Sequence, residues 1–596
     1  MAHLSENSRP LPYSLVKLHE SSELAALETG QPDVWCLLLP IAQKEDCEKE
    51  HVFTNDLVTF SKHLHQDSLL TILTSPQKVA NLYLHLKSFV KFQLWIVVKL
   101  HTPIPRKGGL PLHHAALLVL SKYRGSLQHT KTRIAYTYCP TCERTTKDYG
   151  GKKHLYHEYG TLMSDIWRDI SYIPQDEPKD IITRLQDLFG ISLHNTLRVL
   201  DLRTLSHSAN IVSEFKINYL SAFEEYDEHI IKDSQLINQD CLLALKEISS
   251  ASVDFCFADP PYNIDKKYDS WDDTLDIQEY FRWCDTWISE LARVLKPGRI
   301  CTILNIPLWA IRHFAYMQTN LQFYDWIVWE GLSLPVRMIM PAHYTILAFS
   351  KGEPRDLPGF SRQLHAPLEA DALYALKENF CARASCMRNR KRTNISDHEI
   401  ITDLWWDIHR LKHNSKRVDH PTQLPPKLMY RLISLFTNQG EIVLDPFNGS
   451  GTTSLTAEQL QRRFIGIELS PYYYELAQKR HDELRSGIDP FRKNESVPKA
   501  KNSRVKRLKK QKYKVTKKTL QLEIKKIAKK LERIPSREDV EMHSQFPLAY
   551  YDEYFISWGE VCAAARTTGM TEKKHSNSDS CTQTRKEQLN LFGNKQ

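Results

Sequence analysis

The stretch Glu441-Ile442-Val443-Leu444-Asp445-Pro446-Phe447-Asn448-Gly449-Ser450-Gly451-Thr452-Thr453 decides the fold. An apolar run of strand length ends in a carboxylate, a turn with two glycines follows, and Ser454-Leu455-Thr456-Ala457-Glu458-Gln459-Leu460 reads as a helix. Gly449 and Gly451 let the backbone turn sharply and approach a ligand with no Cβ in the way. Thr452 and Thr453 can open the helix, whose amino terminus favours a carboxylate. The next apolar strand, Phe464-Ile465-Gly466-Ile467, ends in Glu468, where an acid can accept hydrogen bonds from ribose hydroxyls. The succession predicts an open α/β sheet with a small charged cofactor at the carboxyl ends of its strands.

Upstream, a second buried-strand pattern, Val253-Asp254-Phe255-Cys256-Phe257-Ala258, runs into Asp259-Pro260-Pro261-Tyr262. Two prolines fix the backbone and supply no N–H, so their carbonyls stay available as acceptors. Asp259 and the Pro260 carbonyl can take the two hydrogens of an exocyclic amine, and Tyr262 can stack on a flat ring. An ordinary strand-to-loop junction is the bland alternative, since Asp-Pro and Pro-Pro commonly start turns.

Together the two segments resemble the S-adenosylmethionine-dependent amino-methyltransferases that act on adenine N6 or cytosine N4 in DNA. The catalytic segment precedes the cofactor segment, as in the beta class of that family. His420-Pro421-Thr422-Gln423-Leu424-Pro425-Pro426-Lys427 matches a further segment that helps hold the cofactor, with Leu424 in place of the usual lysine. Asn238-Gln239-Asp240-Cys241 resembles the acidic turn that approaches the cofactor's adenine. The resemblance spans about residues 230–485. It implies Asp259, Pro260, Pro261 and Tyr262 as the catalytic group. For the cofactor it implies Asp240, His420, Thr422, Gln423, Asp445, Pro446, Phe447, Gly449, Gly451, Thr452 and Glu468. Asp at position 259 leans toward adenine N6; cytosine N4 is the alternative, and a DNA-binding regulator without catalysis is the rival from another class.

A fainter copy of the pattern lies upstream in the same order. Trp95-Ile96-Val97 and Leu117-Leu118-Val119-Leu120-Ser121-Lys122 echo Trp326-Ile327-Val328 and Ile346-Leu347-Ala348-Phe349-Ser350-Lys351. Asp165-Ile166-Trp167-Arg168-Asp169-Ile170 echoes Asp403-Leu404-Trp405-Trp406-Asp407-Ile408, and Val199-Leu200-Asp201 echoes Val443-Leu444-Asp445. Near Cys36-Leu37-Leu38-Leu39-Pro40, Leu39 stands where Asp259 would be, and no glycine follows Asp201. Residues 30–215 thus read as a degenerate methyltransferase-like domain packed on the active one as a built-in dimer partner. Chance matching of short apolar runs is the competing explanation.

Cys139-Pro140-Thr141-Cys142 precedes the first Asp-x-Trp motif, and Cys381 and Cys386 precede the second. Two thiolates from each half would complete one structural zinc site. A local set with His154 and His157, or free thiols, are the alternatives. Twelve Cys in a chain expected to be cytoplasmic read as thiols or metal ligands more than disulfides.

Basic residues concentrate in two places. The segment 353–418, where the resemblance implies target recognition, holds Arg388-Asn389-Arg390-Lys391-Arg392 and Lys412-His413-Asn414-Ser415-Lys416-Arg417. Residues 491–533 hold eighteen Lys or Arg against three Glu in a chain of net charge +9, so the rest of the chain is net acidic. That localisation suits a nucleic-acid tether as well as a solubilising linker.

These features give an ordered set of expectations. The fold class is α/β, a Rossmann-like methyltransferase sheet with helices on both faces, duplicated, plus a small helical C-terminal DNA-binding module. The boundaries are a polar segment 1–29, the degenerate domain 30–215, the catalytic domain 230–485, a basic linker 490–530, a helical repeat 531–566 and a disordered tail 567–596. In that repeat, which resembles a unit attached to homing endonucleases, Ile534, Val540, Phe555, Trp558 and Val561 would form the core, with Arg533 and Arg537 left for phosphates. The partners are double-stranded DNA and a cognate restriction endonuclease, with a monomer carrying an internal pseudo-dimer. At 41% hydrophobic residues and 25% charged the chain can bury a core, and it has neither a signal peptide nor an apolar span of bilayer length.

Overall fold

The computed structural model describes residues 11–41, 47–106, 108–123, 127, 129–130, 132–146, 160–190, 194–204, 233–263, 275–331, 339, 342–360, 367–411, 423–491, 515, 517–555, 558, 561 and 571–572. His154, His157, His420, Thr422 and the Lys412–Arg417 cluster lie outside them, as do most of the linker and tail.

The amino-terminal half begins with β1 (Tyr13–Lys17), α1 (Ser22–Ala25), β2 (Val34–Leu38), α2 (Cys47–His63), β3 (Leu69–Thr74) and α3 (Pro76–Leu86). It continues with β4 (Lys91–Ile104), β5 (Leu112–Ser121), the short β6 (Arg133–Ile134) and β7 (Thr161–Leu162), β8 (Ile166–Tyr172), α4 (Lys179–Phe189) and β9 (Leu197–Asp201). The second half opens with β10 (Gln235–Asn238), α5 (Cys241–Glu247), β11 (Val253–Ala258), α6 (Ile277–Val294), β12 (Leu295–Asn305), α7 (Pro307–Met317), β13 (Gln322–Trp329) and β14 (Tyr344–Ser350). Then come α8 (Pro367–Ala372), β15 (Tyr374–Leu376), α9 (Ala384–Arg392), β16 (His398–Ile400) and β17 (Leu404–Trp405). It ends with α10 (Pro426–Phe436), β18 (Ile442–Asp445), α11 (Thr452–Gln459), β19 (Arg463–Glu468) and α12 (Pro471–Arg485).

Each half builds one mixed sheet. The strand order is β1-β9-β2-β3-β5-β4-β8 in the first and β10-β19-β18-β11-β12-β14-β13-β17 in the second. The central strands are buried along their whole length, which is why they read as continuous apolar runs and not as alternating ones. Register repeats as well as order. Trp95 pairs with Leu118 and Trp326 with Leu347, and both outer strands carry a bulge at the same place, between Phe92 and Leu94 and between Phe323 and Asp325. Thr71 Oγ1 donates to the Trp35 carbonyl as Thr302 Oγ1 donates to that of Cys256. Pro76 and Pro307 open helices of 11 residues each, at the first position where a missing N–H costs nothing. Even the Arg–Asp–Trp clamp recurs: Arg184 on Asp169 and Trp167, Arg431 on Asp407 and Trp405.

One strand breaks the correspondence. In the first sheet β1 pairs directly with β9, and among the described residues no strand lies between them as β19 lies between β10 and β18. The strand that ends in Glu468 has no counterpart among the described residues. The expected polar segment 1–29 is corrected here: β1 is an edge strand, mostly exposed, so it carries no hydrophobic pattern to betray it. Counted through β3, Leu38 occupies the place of Asp259; counted through β9, Pro40 does. Neither is a carboxylate.

The halves meet reciprocally. His114 lies 3.1 Å from Asp403 and its counterpart His343 lies 3.0 Å from Asp165. The backbone N–H of His113 donates to Asp403 Oδ1 at 2.7 Å and that of Ala342 to Asp165 Oδ1 at 2.8 Å. This is the i-to-j, j-to-i pattern of a two-fold interface, written within one chain. Arg106 adds an ion pair to the buried Asp325 at 2.6 Å and one to Asp403 at 3.2 Å.

The carboxyl-terminal unit comprises α13 (Lys517–Leu531), β20 (Arg533–Ile534), α14 (Arg537–His543), α15 (Leu548–Tyr554) and β21 (Thr571–Glu572). Its core joins Leu520, Ile524, Ile527 and Ala528 to Val540, Tyr551, Phe555, Trp558 and Val561. The expected boundaries are therefore corrected. The last part of the basic stretch is an amphipathic helix whose apolar stripe belongs to the module, and β21 brings the start of the expected tail back against β20. Arg533 and Arg537 do not stand ready for phosphates: each makes a two-pronged ion pair, with Asp539 and Asp552.

Candidate active site

Strands β11 and β18 are parallel neighbours, with Phe255 beside Val443 and Cys256 beside Leu444. Their carboxyl ends therefore bring Asp259-Pro260-Pro261-Tyr262 next to the glycine turn. The Tyr262 hydroxyl donates to Asp259 Oδ1 at 2.9 Å. Trp309, on the first turns of α7, donates its indole N–H to the Tyr262 carbonyl at 3.0 Å, and Tyr344 packs edge-on against the Tyr262 ring. Tyr262 is buried at 5% exposure.

Gly449 has φ 53° and Gly451 φ 85°, both in the left-handed region, and Gly451 caps α11 from there. A Cβ on Gly451 would stand 3.1 Å from that of Ala477. Glu468 fixes the turn: one carboxylate oxygen accepts the Gly449 N–H at 2.8 Å and the other the Ser470 N–H at 2.8 Å. Asn238 donates to the Glu468 carbonyl at 2.8 Å, which ties β10 to this edge. Asp240 caps α5, accepting from the Leu242 N–H at 2.9 Å. Phe447 rests on Trp283 and Trp287 of α6.

Asp445, buried at the end of β18, accepts from the Phe447 N–H at 2.9 Å. Burial pushes its carboxyl up to about 7, and the negative charges of Asp259 and Glu468 push the same way. The counterpart in the first half behaves oppositely. Burial also opposes ionisation of Asp201, but Arg203, at the place of Phe447, bonds both carboxylate oxygens and holds it below its ordinary value. One half supplies its own cation at this carboxylate; the other puts a phenylalanine there.

Of the residues expected at the site, Asp259, Pro260, Pro261, Tyr262, Asp445, Pro446, Phe447, Gly449, Gly451, Thr452 and Glu468 lie along this one sheet edge. Gln423 is buried just ahead of α10, and Lys427 from the same segment pairs with Asp407 at 2.6 Å. Sequence reasoning missed Trp309 and Asn448. Trp309 had no motif to mark it, whereas Asn448 lies inside the glycine turn and could have been singled out.

A family profile described as DNA methylase matches residues 253–479. The type II methyltransferase M.HpaI of Haemophilus parainfluenzae is 31% identical over 268 residues, 43% of this chain and 77% of that protein. The chain belongs to this DNA methylase family. The methylase is also 33% identical over 290 residues to the type II methyltransferase M.BamHI of Bacillus amyloliquefaciens, covering 48% of this chain and 64% of that one. The DNA adenine methyltransferase YhdJ of Escherichia coli is 31% identical over 255 residues, 41% of this chain and 82% of that one. Among solved structures, a DNA modification methylase of Thermus thermophilus complexed with S-adenosyl-L-methionine shares 22% identity over 43% of this chain and 98% of its own, with TM-score 0.29.

The family comprises S-adenosylmethionine-dependent DNA amino-methyltransferases, and the residues present fit that cofactor. Both amide atoms of Asn448 are buried in the glycine turn with no hydrogen-bond partner among the described residues. Asp445 is a buried carboxylate raised to about 7, in a place that suits an incoming cation such as a sulfonium or ammonium group. Among the described residues no helix is long and apolar enough to cross a membrane.

Proposed function

We propose that the methylase transfers a methyl group to N6 of adenine in duplex DNA at one specific word, as the modification component of a restriction–modification system with a cognate endonuclease. The observation that carries this is the Tyr262 hydroxyl holding Asp259 at the strand end beside the glycine turn. The Escherichia coli relative named as an adenine methyltransferase and the relatives named as type II methyltransferases support the reading.

A base inside a duplex hides its amine, so the target nucleotide is extruded into the site at a cost of a few kcal/mol. Asp259 and the Pro260 carbonyl then accept the two amine hydrogens, which localises the nitrogen lone pair and aims it. The cofactor, when bound, supplies a methyl group already activated by its sulfonium. Asp259 is placed to accept the proton that the amine would shed as its carbon–nitrogen bond forms and the sulfonium carbon–sulfur bond breaks, the thioether leaving. Because the leaving group is activated, the protein contributes mainly position and electrostatics.

Nucleoside mass spectrometry of duplex DNA incubated with the purified chain and S-adenosylmethionine tests this. N6-methyl-2′-deoxyadenosine is the expected product; N4-methyl-2′-deoxycytidine would replace the base assignment, and no methylated nucleoside would favour a DNA-binding regulator.

A further inference from the structure

The duplicated architecture carries a cluster that the chemistry above does not use. Cys139 and Cys142 come from the amino-terminal half, between β6 and β7; Cys381 lies between β15 and α9, and Cys386 in the first turn of α9. Their four sulfurs lie within 4.8 Å of one another. Cys139 and Cys386 are 3.8 Å apart and Cys142 and Cys381 3.6 Å.

These separations discriminate among the chemistries open to four thiols. A disulfide needs about 2.05 Å between sulfurs, so neither pair is bonded. Four sulfurs about 2.3 Å from a single tetrahedral zinc ion stand about 3.8 Å from each other, close to the separations of the Cys139–Cys386 and Cys142–Cys381 pairs. An iron–sulfur cluster would interpose its inorganic core and hold the thiolates further apart. The cluster is also closed, as a structural site requires: three of the four Cys are buried and Phe380 packs against them.

The surroundings suit the charge. A tetrathiolate around a divalent ion is net negative, and the fully buried Arg390 places a guanidinium nitrogen 3.0 Å from the Cys386 sulfur. Its remaining nitrogens bond the Cys381 carbonyl at 2.9 Å and Asp397 at 2.6 Å. The Cys139–Cys142 turn closes on itself, with the Glu143 N–H on the Cys139 carbonyl at 2.8 Å and the Cys139 N–H on the Arg144 carbonyl at 2.8 Å. Glu143 takes the left-handed conformation, φ 53°, that this turn demands.

We propose that Cys139, Cys142, Cys381 and Cys386 hold one structural zinc ion that staples the two halves together. The staple also orients α9. Cys386 and Arg390 lie four residues apart on one face of that helix and are buried in the cluster, which leaves Arg388, Lys391 and Arg392 exposed on the other. The metal thereby fixes the direction in which a basic helix face points. Arg383 reinforces the joint by donating to the Thr145 carbonyl of the first half at 2.7 Å.

The test is metal analysis of the full chain, purified without chelator. One zinc per chain is expected, and growth on cobalt should give the sulfur-to-cobalt charge-transfer and d–d absorption of a tetrahedral tetrathiolate. Cys142→Ser and Cys386→Ser should each lose most of the bound zinc. Stripping the intact chain with a strong chelator should expose residues 377–400 to protease. Absence of metal from the intact chain, iron in place of zinc, stoichiometric zinc in both variants, or unchanged protease resistance after stripping would each overturn the proposal.

Discussion

Trp95 and Trp326 stack with ring centroids 4.6 Å apart and planes 5° from parallel. Each is the other's counterpart by strand register, so the pair sits where the pseudo-two-fold axis passes between the halves. The counterpart helices α3 and α7 also meet each other. The first half keeps its side of this interface without a carboxylate at the place of Asp259 and without a glycine turn directly after Asp201.

Replacing Trp326 by Ala should cost about 3–5 kcal/mol. Because the rings touch, the double variant with Trp95→Ala should cost less than the sum of the singles, by the about 0.5–1.5 kcal/mol that aromatic pairs contribute beyond burial. Chemical denaturation of all four proteins checks this. Strict additivity would mean the stack contributes nothing of its own.

Much of this was legible beforehand. The strands ending in Asp259, Asp445 and Glu468 fall where their apolar runs predict, since a strand buried on both faces has nowhere to place a polar residue. The repeat was readable for the same reason: its echoes are the buried strands and the Arg–Asp–Trp clamps. The exposed β1 was not, because an edge strand satisfies its backbone without a hydrophobic face. Nor was α13, whose four buried core residues are diluted by lysines that dominate any average over the segment. The ion pairs of Arg533 and Arg537 depend on acids brought near by folding, which charge counting does not reveal.

Asp445 makes a prediction about pH. Burial holds its carboxyl at about 7 in the folded chain, against about 3.9 unfolded, so folding retains a proton and the associated stability is full below about pH 4 and lost as pH rises through about 7. Asp445→Asn should therefore be more stable than the parent at pH 8. A cationic cofactor requires the ionised form, so its affinity for the parent should weaken below about pH 7 with proton release on binding. The Asn variant should bind weakly with no pH dependence, and Phe447→Arg, which copies Arg203, should block binding by supplying an internal cation. Calorimetry in buffers of different ionisation heat measures both quantities; pH-independent binding by the parent would remove Asp445 from the cofactor site.

Tyr262→Phe removes the hydroxyl that donates to Asp259. Hydrogen bonds to charged groups are worth about 1.5–3 kcal/mol, so the single-turnover methylation rate should fall about tenfold to a hundredfold while cofactor affinity holds. An unchanged rate would show that Asp259 needs no such alignment.

Phe491 is buried against Arg480, so a truncation of the basic tail should follow it. Removing residues 492–596 should weaken DNA binding and flatten the dependence of log affinity on log salt, leaving methylation of a short duplex intact at low salt. An unchanged salt slope would show that the lysine-rich stretch does not engage phosphates.

Adenine methylation at a defined word is expected to depend on Asp259. Modified-base sequencing of DNA from a methylation-free bacterial host, expressing either the intact chain or its Asp259→Ala variant, tests it most directly. The account predicts N6-methyladenine at one recurrent sequence with the intact chain and none with the variant. Methylation that persists in the variant, methylcytosine in place of methyladenine, or unmodified DNA from cells holding folded intact chain would contradict it.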